Sequence, residues 1–196
     1  MNSPFVGFPK IARFSRDCIV TEKIDGTNAQ IFIPWADEDG TPCGPIYAAS
    51  RTRWITPEED NHGFAAWVRD HTTELLQLGP GRHFGEWWGK GINRGYGLDH
   101  KRFSLFNVAR WDEVLRDKVK YPNPRPECCH VVPVLTTMPF RDVGKSLHLM
   151  LDDLLNFGSR AAPGFMKPEG VVIFHTAGNV AFKTTIEKDE QRKGES

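Results

Sequence analysis

The stretch Glu22-Lys23-Ile24-Asp25-Gly26-Thr27-Asn28-Ala29 constrains this chain more than any other. The apolar run Cys18-Ile19-Val20 just ahead of it reads as a buried strand, and Gly26 permits a sharp turn at its end. A lysine at such a strand end, two residues before an acid, is placed to act as a nucleophile. A free lysine has a pKa near ~10.4, so only about one in a few thousand is neutral at pH 7. Lowering that value by about 3 units takes roughly 4 kcal/mol of differential interaction, which burial and neighbouring cations supply. Taken alone, Lys23-Ile24-Asp25-Gly26 more often marks a surface turn, so its meaning depends on companions elsewhere.

Those companions follow in order: Phe84-Gly85-Glu86-Trp87-Trp88-Gly89, Phe103-Ser104-Leu105-Phe106-Asn107-Val108, Pro168-Glu169-Gly170-Val171-Val172-Ile173 and Val180-Ala181-Phe182-Lys183. Together with the lysine stretch, the series resembles the collinear motifs of the covalent nucleotidyltransferases, the superfamily of DNA ligases, RNA ligases and mRNA capping enzymes. Thr27 and Asn28 after the glycine are most similar to the RNA ligase branch typified by phage RNA ligase 2. The resemblance runs from about Ile19 to Lys183.

The resemblance implies an α+β fold, ATP-grasp-like, with antiparallel sheets flanked by helices, a central nucleotide-binding groove and no OB-fold. It also implies an ATP-dependent RNA ligase. Lys23 would attack the α-phosphate of ATP, expel pyrophosphate and hold AMP as a phosphoramidate. The AMP would then pass to a 5′-phosphate, and a 3′-hydroxyl would displace it. Asp25, Glu86 and Glu169 match carboxylates expected to hold a hydrated Mg²⁺ or Mn²⁺ beside Lys23, with Glu86 also reaching the ribose. Phe106 matches the aromatic that stacks on the purine, with Phe103 the second choice. Glu22 and Ile24 would read the adenine edge through main-chain groups. Asn28 and Arg51 match positions near the AMP and the incoming strand end, and Val171, with Val172 and Ile173, is expected to wall the groove. Lys183 matches the second lysine of a Lys-x-Lys motif whose first position here is Ala181. That change removes one cation beside Lys23; slower adenylylation, a substitute such as Lys90, or a shifted motif are all open.

Length and composition narrow the partners. The 196 residues are expected to form one nucleotidyltransferase domain, residues 1–196, with an apolar content of 39% sufficient for a sizeable core. Lys plus Arg (25) equals Asp plus Glu (25), so nucleic acid must find a local basic surface rather than a global field. Cys18, Cys43, Cys128 and Cys129 lack paired zinc spacing and read as reduced thiols of a cytoplasmic protein. No signal peptide or membrane-spanning run is present in the sequence.

Periodicity supplies the remaining elements. The lead-in up to Arg16 should fold over the core. Ala29–Trp35 and Ile46–Arg51 read as strands of a hairpin turned at Asp37-Glu38-Asp39-Gly40. A helix is predicted from Thr56, or from nearer Asn61, through Leu78, with His71 packed in its stripe and Gly79-Pro80-Gly81 as its stop. Arg82–Trp87, Phe103–Val108, Val131–Leu135, Gly170–Thr176 and Val180–Thr184 read as strands, the last two joined at Ala177-Gly178-Asn179. A short helix is predicted over Trp111–Arg116, an extended connection over 120–127, and an amphipathic helix through Leu147–Leu155 that Gly158 ends. Gly89–Gly97 fits either a phosphate-approaching loop, through Lys90 or Arg94, or an ordinary surface loop.

Three functions fit these observations. The first is an RNA ligase acting on RNA ends or nicks, with a separate partner supplying end recognition. The second is a minimal DNA ligase or other lysine-dependent nucleotidyltransferase. The third, favoured by Ala181 and zero net charge, is a non-catalytic nucleic-acid end-binding module.

Overall fold

The structure is a computed structural model and describes residues 6–35, 37 and 44–187. The predicted Asp37–Gly40 turn, Cys43 and the tail beyond Glu187 lie wholly or largely outside the described residues. Two open sheets carry the fold. The first contains β1 (Asp17–Lys23), β8 (Val134–Pro139), β9 (Gly170–His175) and β10 (Val180–Thr185), in the order β10-β9-β1-β8. The second contains β2 (Thr27–Ile33), β3 (Tyr47–Ala49), β4 (Trp54–Ile55), β5 (Gly81–Gly89), β6 (Lys101–Leu105) and β7 (Cys129–Val131), in the order β4-β3-β2-β5-β6-β7. All neighbours are antiparallel except β6 and β7, which run parallel. Neither sheet closes into a barrel among the described residues.

Strand alternation decides what each sheet buries. On β1, Cys18 and Val20 join Val171 and Ile173 of β9 in a core completed by Val143 and Leu154 of α4 (Phe140–Phe157). Gly158, at φ 78°, ends α4 as predicted, because this left-handed position suits glycine. On β2, Ala29, Ile31 and Ile33 face a second core with Phe64 and Val68 of α1 (Phe64–Asp70) and Phe103 of β6. Phe103 is therefore a core residue, 5.1 Å from the Phe64 ring.

Several boundaries differ from the sequence reading for identifiable reasons. The helix expected through Leu78 is broken at His71 into α1 and α2 (Thr72–Leu75), followed by a 3-10 turn over Leu76–Leu78. Its start is set by Asp60, whose carboxylate accepts the Ala65 and Ala66 N–H groups at 2.8 and 2.9 Å. Thr56 instead closes a turn onto the Glu59 N–H. The strand before Asn107 stops at Leu105, and α3 (Val108–Trp111) occupies the place ahead of the predicted Trp111–Arg116 helix. Val6, Phe8 and Ile11 are exposed rather than folded over the core; Phe14 alone of the lead-in aromatics described packs edge-on against Phe140. Cys18, Cys128 and Cys129 are free thiols. No helix among the described residues is long and apolar enough to cross a membrane.

Glu22 ties the two ends of the first sheet's connections together. It is 1% exposed. Its Oε1 accepts from Ser159 Oγ at 2.6 Å, and its Oε2 accepts the Arg160 and Ala161 N–H groups at 2.7 and 2.9 Å. Burial raises its pKa, while these bonds pull it back down. Its own N–H donates to Pro133 O at 2.9 Å, where β1 and β8 shift register between Val20 and Thr21. The expectation that Glu22 presents main-chain groups to a base is thus corrected for the N–H, which the β8 connection consumes. Replacing Glu22 by Ala strands a buried hydroxyl and two N–H groups and should cost about 3 kcal/mol. Thermal melting should fall by roughly 6–12 °C, with a smaller fall for Glu22→Gln, which keeps an acceptor.

Candidate active site

The inner faces of the two sheets enclose a cleft of about 570 Å³. One wall is the face of the first sheet opposite its core: Ile19, Thr21 and Lys23 of β1, Val172 and Phe174 of β9, and Ala181 of β10. Register explains the set, since Ile19 lies opposite Phe174, Thr21 opposite Val172 and Ala181 opposite Phe174. The other wall is the second sheet: Asn28 on β2, Glu86, Phe84 and Arg82 on β5, and Phe106 just past β6.

Lys23 closes the inner end. Its Nζ donates to Glu169 Oε2 at 2.5 Å, and both side chains are mostly shielded from water. Glu169 immediately precedes β9, whose Gly170 is paired with Lys23, so backbone register brings amine and carboxylate together. Glu86 sits on the facing wall, 8% exposed, with Oε1 accepting the Gly26 N–H at 3.1 Å and Oε2 accepting Asn28 Nδ2 at 3.2 Å. Burial pushes its pKa up to about 7; Lys23 and the Gly26 N–H act against that, and the negative charges of Glu169 and Asp25 add to it.

Gly26 earns its place by close approach rather than by a left-handed turn. A Cβ there would lie 2.5 Å from Trp87 O and 2.9 Å from Glu86 Cγ. The turn between β1 and β2 is thereby pressed onto β5, which brings Glu86 to the Gly26 N–H. Asp25 is held from outside this contact. Its Oδ2 pairs with Arg94 Nε at 3.0 Å, its Oδ1 accepts Asn93 Nδ2 at 2.9 Å, and its N–H donates to Tyr96 Oη at 2.8 Å. Arg94 also donates to Lys167 O at 3.0 Å, two residues before Glu169.

The glycine-dense Gly89–Gly97 loop reaches the turn that carries Lys23 through two of its side chains. Asn93 and Arg94 hold the turn after Lys23 in place. The roles of Asn93, Arg94, Tyr96 and Ser159 are not evident from the sequence; the adjacent Asn93-Arg94 pair in a glycine-rich loop was the one available signal. Lys90 is exposed on that loop.

Glu22, Lys23, Ile24, Asn28, Glu86 and Phe106 all line the cleft, and Glu169 reaches it through Lys23. Phe106 is 41% exposed and thus available to a ligand. Three expectations need correction or relocation. Val171 is fully buried in the α4 core, and strand parity gives its wall position to Val172. Arg51 is exposed at the turn joining β3 and β4 and does not line the cleft. The trio Asp25, Glu86 and Glu169 is not gathered as a metal-holding group, and no cluster of three His, Cys, Asp or Glu side chains suited to a metal occurs among the described residues. The physical reason is that Asp25 spends its oxygens on Asn93 and Arg94. Lys183 is exposed on β10 opposite Val172, on the same strand face as Ala181.

Two sheets clasping a cleft with a lysine on its wall define the class: a nucleotidyltransferase fold. The chain belongs to the RNA ligase family, whose model matches residues 16–187. Comparison with curated protein sequences gives no match. Among solved structures it is similar to an RNA ligase of Naegleria gruberi with pyrophosphate, at TM-score 0.60 and 21% identity over 91% of this chain and 53% of that one. A variant of that enzyme with ATP and manganese aligns at TM-score 0.60 and 19% identity, over 92% and 53%. A further variant with AMP and manganese gives 0.57 and 17%, over 93% and 53%. The chain spans about half the length of these structures.

Because Glu86 has a folded pKa above the 4.5 of the free side chain, the unfolded state releases its proton first as pH rises. Its contribution to stability is therefore greatest below pH 4.5 and is lost between pH 4.5 and about 7, by about 3 kcal/mol. In metal-free buffer, Glu86→Gln should flatten this decline, so its melting temperature gains on the unaltered chain between pH 5 and 8. A constant difference across that range would show that Glu86 is not the titrating group.

Proposed function

We propose that the chain is the nucleotidyl-transferring part of an ATP-dependent RNA ligase that works through a covalent lysyl-AMP. The observation that carries this reading is Lys23 Nζ on the wall of a nucleotide-sized cleft, bonded to Glu169 and facing Glu86. The amine needs to lose a proton before it can act, and Glu169 Oε2 is the nearest acceptor. Lys23 Nζ then attacks the α-phosphorus of ATP; the N–P bond forms as the bond to pyrophosphate breaks. The AMP is next transferred to the 5′-phosphate of an RNA end, which releases Lys23. Attack by a 3′-hydroxyl on that activated phosphate expels AMP and closes the strand. Catalysis of this kind rests on positioning and charge stabilisation.

The chain's residues fit a hard divalent cation, Mg²⁺ or Mn²⁺, at Glu86 and Glu169. Two carboxylates suit an ion that keeps most of its water, and the buried Glu86 gains from a positive neighbour. Such a cation supplies neutralisation of triphosphate charge. Asp25 joins that set only by giving up Arg94; where Arg94 stays, Asp25 acts by fixing the turn that carries Lys23. Phe106 offers an exposed ring for the purine, with Ile24 and Asn28 beside it. The apolar Val172, Phe174 and Ala181 exclude water from the opposite wall. Lys183 adds a cation one residue pair further along the same face. RNA, rather than DNA, is supported by the family to which the chain belongs.

Incubation with ATP labelled at the α-phosphate and Mg²⁺ or Mn²⁺ should give an acid-labile label on the protein. Lys23→Ala should abolish it; a label that survives this change, or no label on the unaltered chain, removes the proposal. Label from GTP in place of ATP would mark a capping-type enzyme, and sealing of DNA but not RNA nicks a DNA ligase. Placing a cation at the vacant motif position, Ala181→Lys, should speed labelling roughly tenfold, the effect of about 1.4 kcal/mol in the barrier.

A further inference from the structure

We propose that the open face of the second sheet is a stacking platform for a single-stranded polynucleotide whose end lies in the cleft. The proposal rests on the ligase reading of that cleft and identifies where the strand runs. Alternation turns Asn28, Gln30 and Phe32 of β2 away from the core, and register sets them opposite Glu86, Phe84 and Arg82 of β5. Tyr47 of β3 lies opposite Phe32, and Trp54 of β4 lies opposite Ala49. Phe106, whose ring is assigned above to the purine, bounds this face at the cleft end, its N–H donating to the Phe84 carbonyl at 3.0 Å.

The face thus begins at Glu86 beside Lys23 and ends at Arg82, four residues along, or roughly 13 Å. Phe84 and Arg82 line the cleft itself, so face and cleft form one continuous surface.

The chemistry of this face suits bases and phosphates better than an apolar partner. Phe84, Tyr47 and Trp54 are 53%, 44% and 49% exposed, although each is large enough to be worth burying. Arg82 places its guanidinium 4.8 Å from the Phe32 ring centre and 5.4 Å from that of Trp54. Arg51 and Arg53 stand exposed on the adjoining β3–β4 turn, Arg53 at 3.7 Å from Glu59. Glu86 is the acid on these strand faces, and it lies at the cleft end. Aromatic faces interleaved with guanidinium groups provide stacking without sequence preference together with phosphate contacts. A chain with no net charge acquires in this way the local basic surface that a polynucleotide requires.

Fluorescence anisotropy with a labelled single-stranded RNA of about 12 nucleotides, on the whole chain and without ATP, tests the assignment. The single strand should bind about tenfold more tightly than its blunt duplex, whose bases are already stacked. A Tyr47→Ala, Trp54→Ala double variant should weaken single-strand binding at least about tenfold, and Trp54→Phe should retain most of it. Arg82→Gln should reduce the salt dependence of binding. Equal affinity of the double variant and the unaltered chain overturns the proposal, provided their thermal melts coincide; so does equal affinity for duplex, or no binding of single strand. The last result would leave the face to a protein partner. Since no ATP is present, failure here is separate from failure of the lysine to take up label.

Discussion

Everything in this molecule depends on β1 being paired on both sides. With β8 along one edge and β9 along the other, it cannot slip by one residue without exchanging its core face for its cleft face. Cys18 and Val20 are therefore committed to the α4 core, and Ile19, Thr21 and Lys23 to the cleft. A flexible lysine becomes a positioned one because hydrophobic burial elsewhere on the strand has fixed its direction. Glu22, between Thr21 and Lys23, adds a second lock by taking three hydrogen bonds from residues 159–161.

The site built on that strand is electrostatically unbalanced. Lys23, Asp25 and Glu169 lie near enough to affect the buried Glu86, so that one lysine faces three acids. Arg94 balances Asp25 from outside, and Lys23 balances Glu169. Glu86 is left with the Gly26 N–H and Asn28, which explains why burial dominates its protonation. The least compensated group of the cavity is thus a carboxylate beside a lysine. Ala181 joins Val172 and Phe174 in making the opposite wall apolar.

What was legible in the sequence follows from what is local. The β1 and β2 strands, the Gly158 stop and the α4 stripe are written in alternation and helical spacing over a few residues. Motif order singles out Lys23, Glu86, Glu169 and Phe106, which the structure places on or beside one cleft. Parity is harder: Val171 and Val172 are equally apolar neighbours, and only the register with β1 shows which one faces the cleft. The Asp25–Arg94 pair spans 69 positions and the Glu22–Ser159 bond spans 137, so no local pattern announces either. Asp60 outcompeted Thr56 as the helix start because its carboxylate reaches two N–H groups at once.

The same parity argument reaches beyond the chemistry of the lysine. The alternation that buries Ala29, Ile31 and Ile33 turns Asn28, Gln30 and Phe32 to the other face, and the two sets are inseparable on one strand. Evolution of a core on one face thus leaves the other face free to carry recognition. Here that free face starts with the residue bonded to Glu86 and runs outward through Phe84 to Arg82. A strand end lying along it would be led toward Lys23 by the same register that aligns Asn28 with Glu86. The pairing of β2 with β5 sets Asn28 against Glu86, and Gly26 holds the β1–β2 turn close enough for the two sheets to share one cleft.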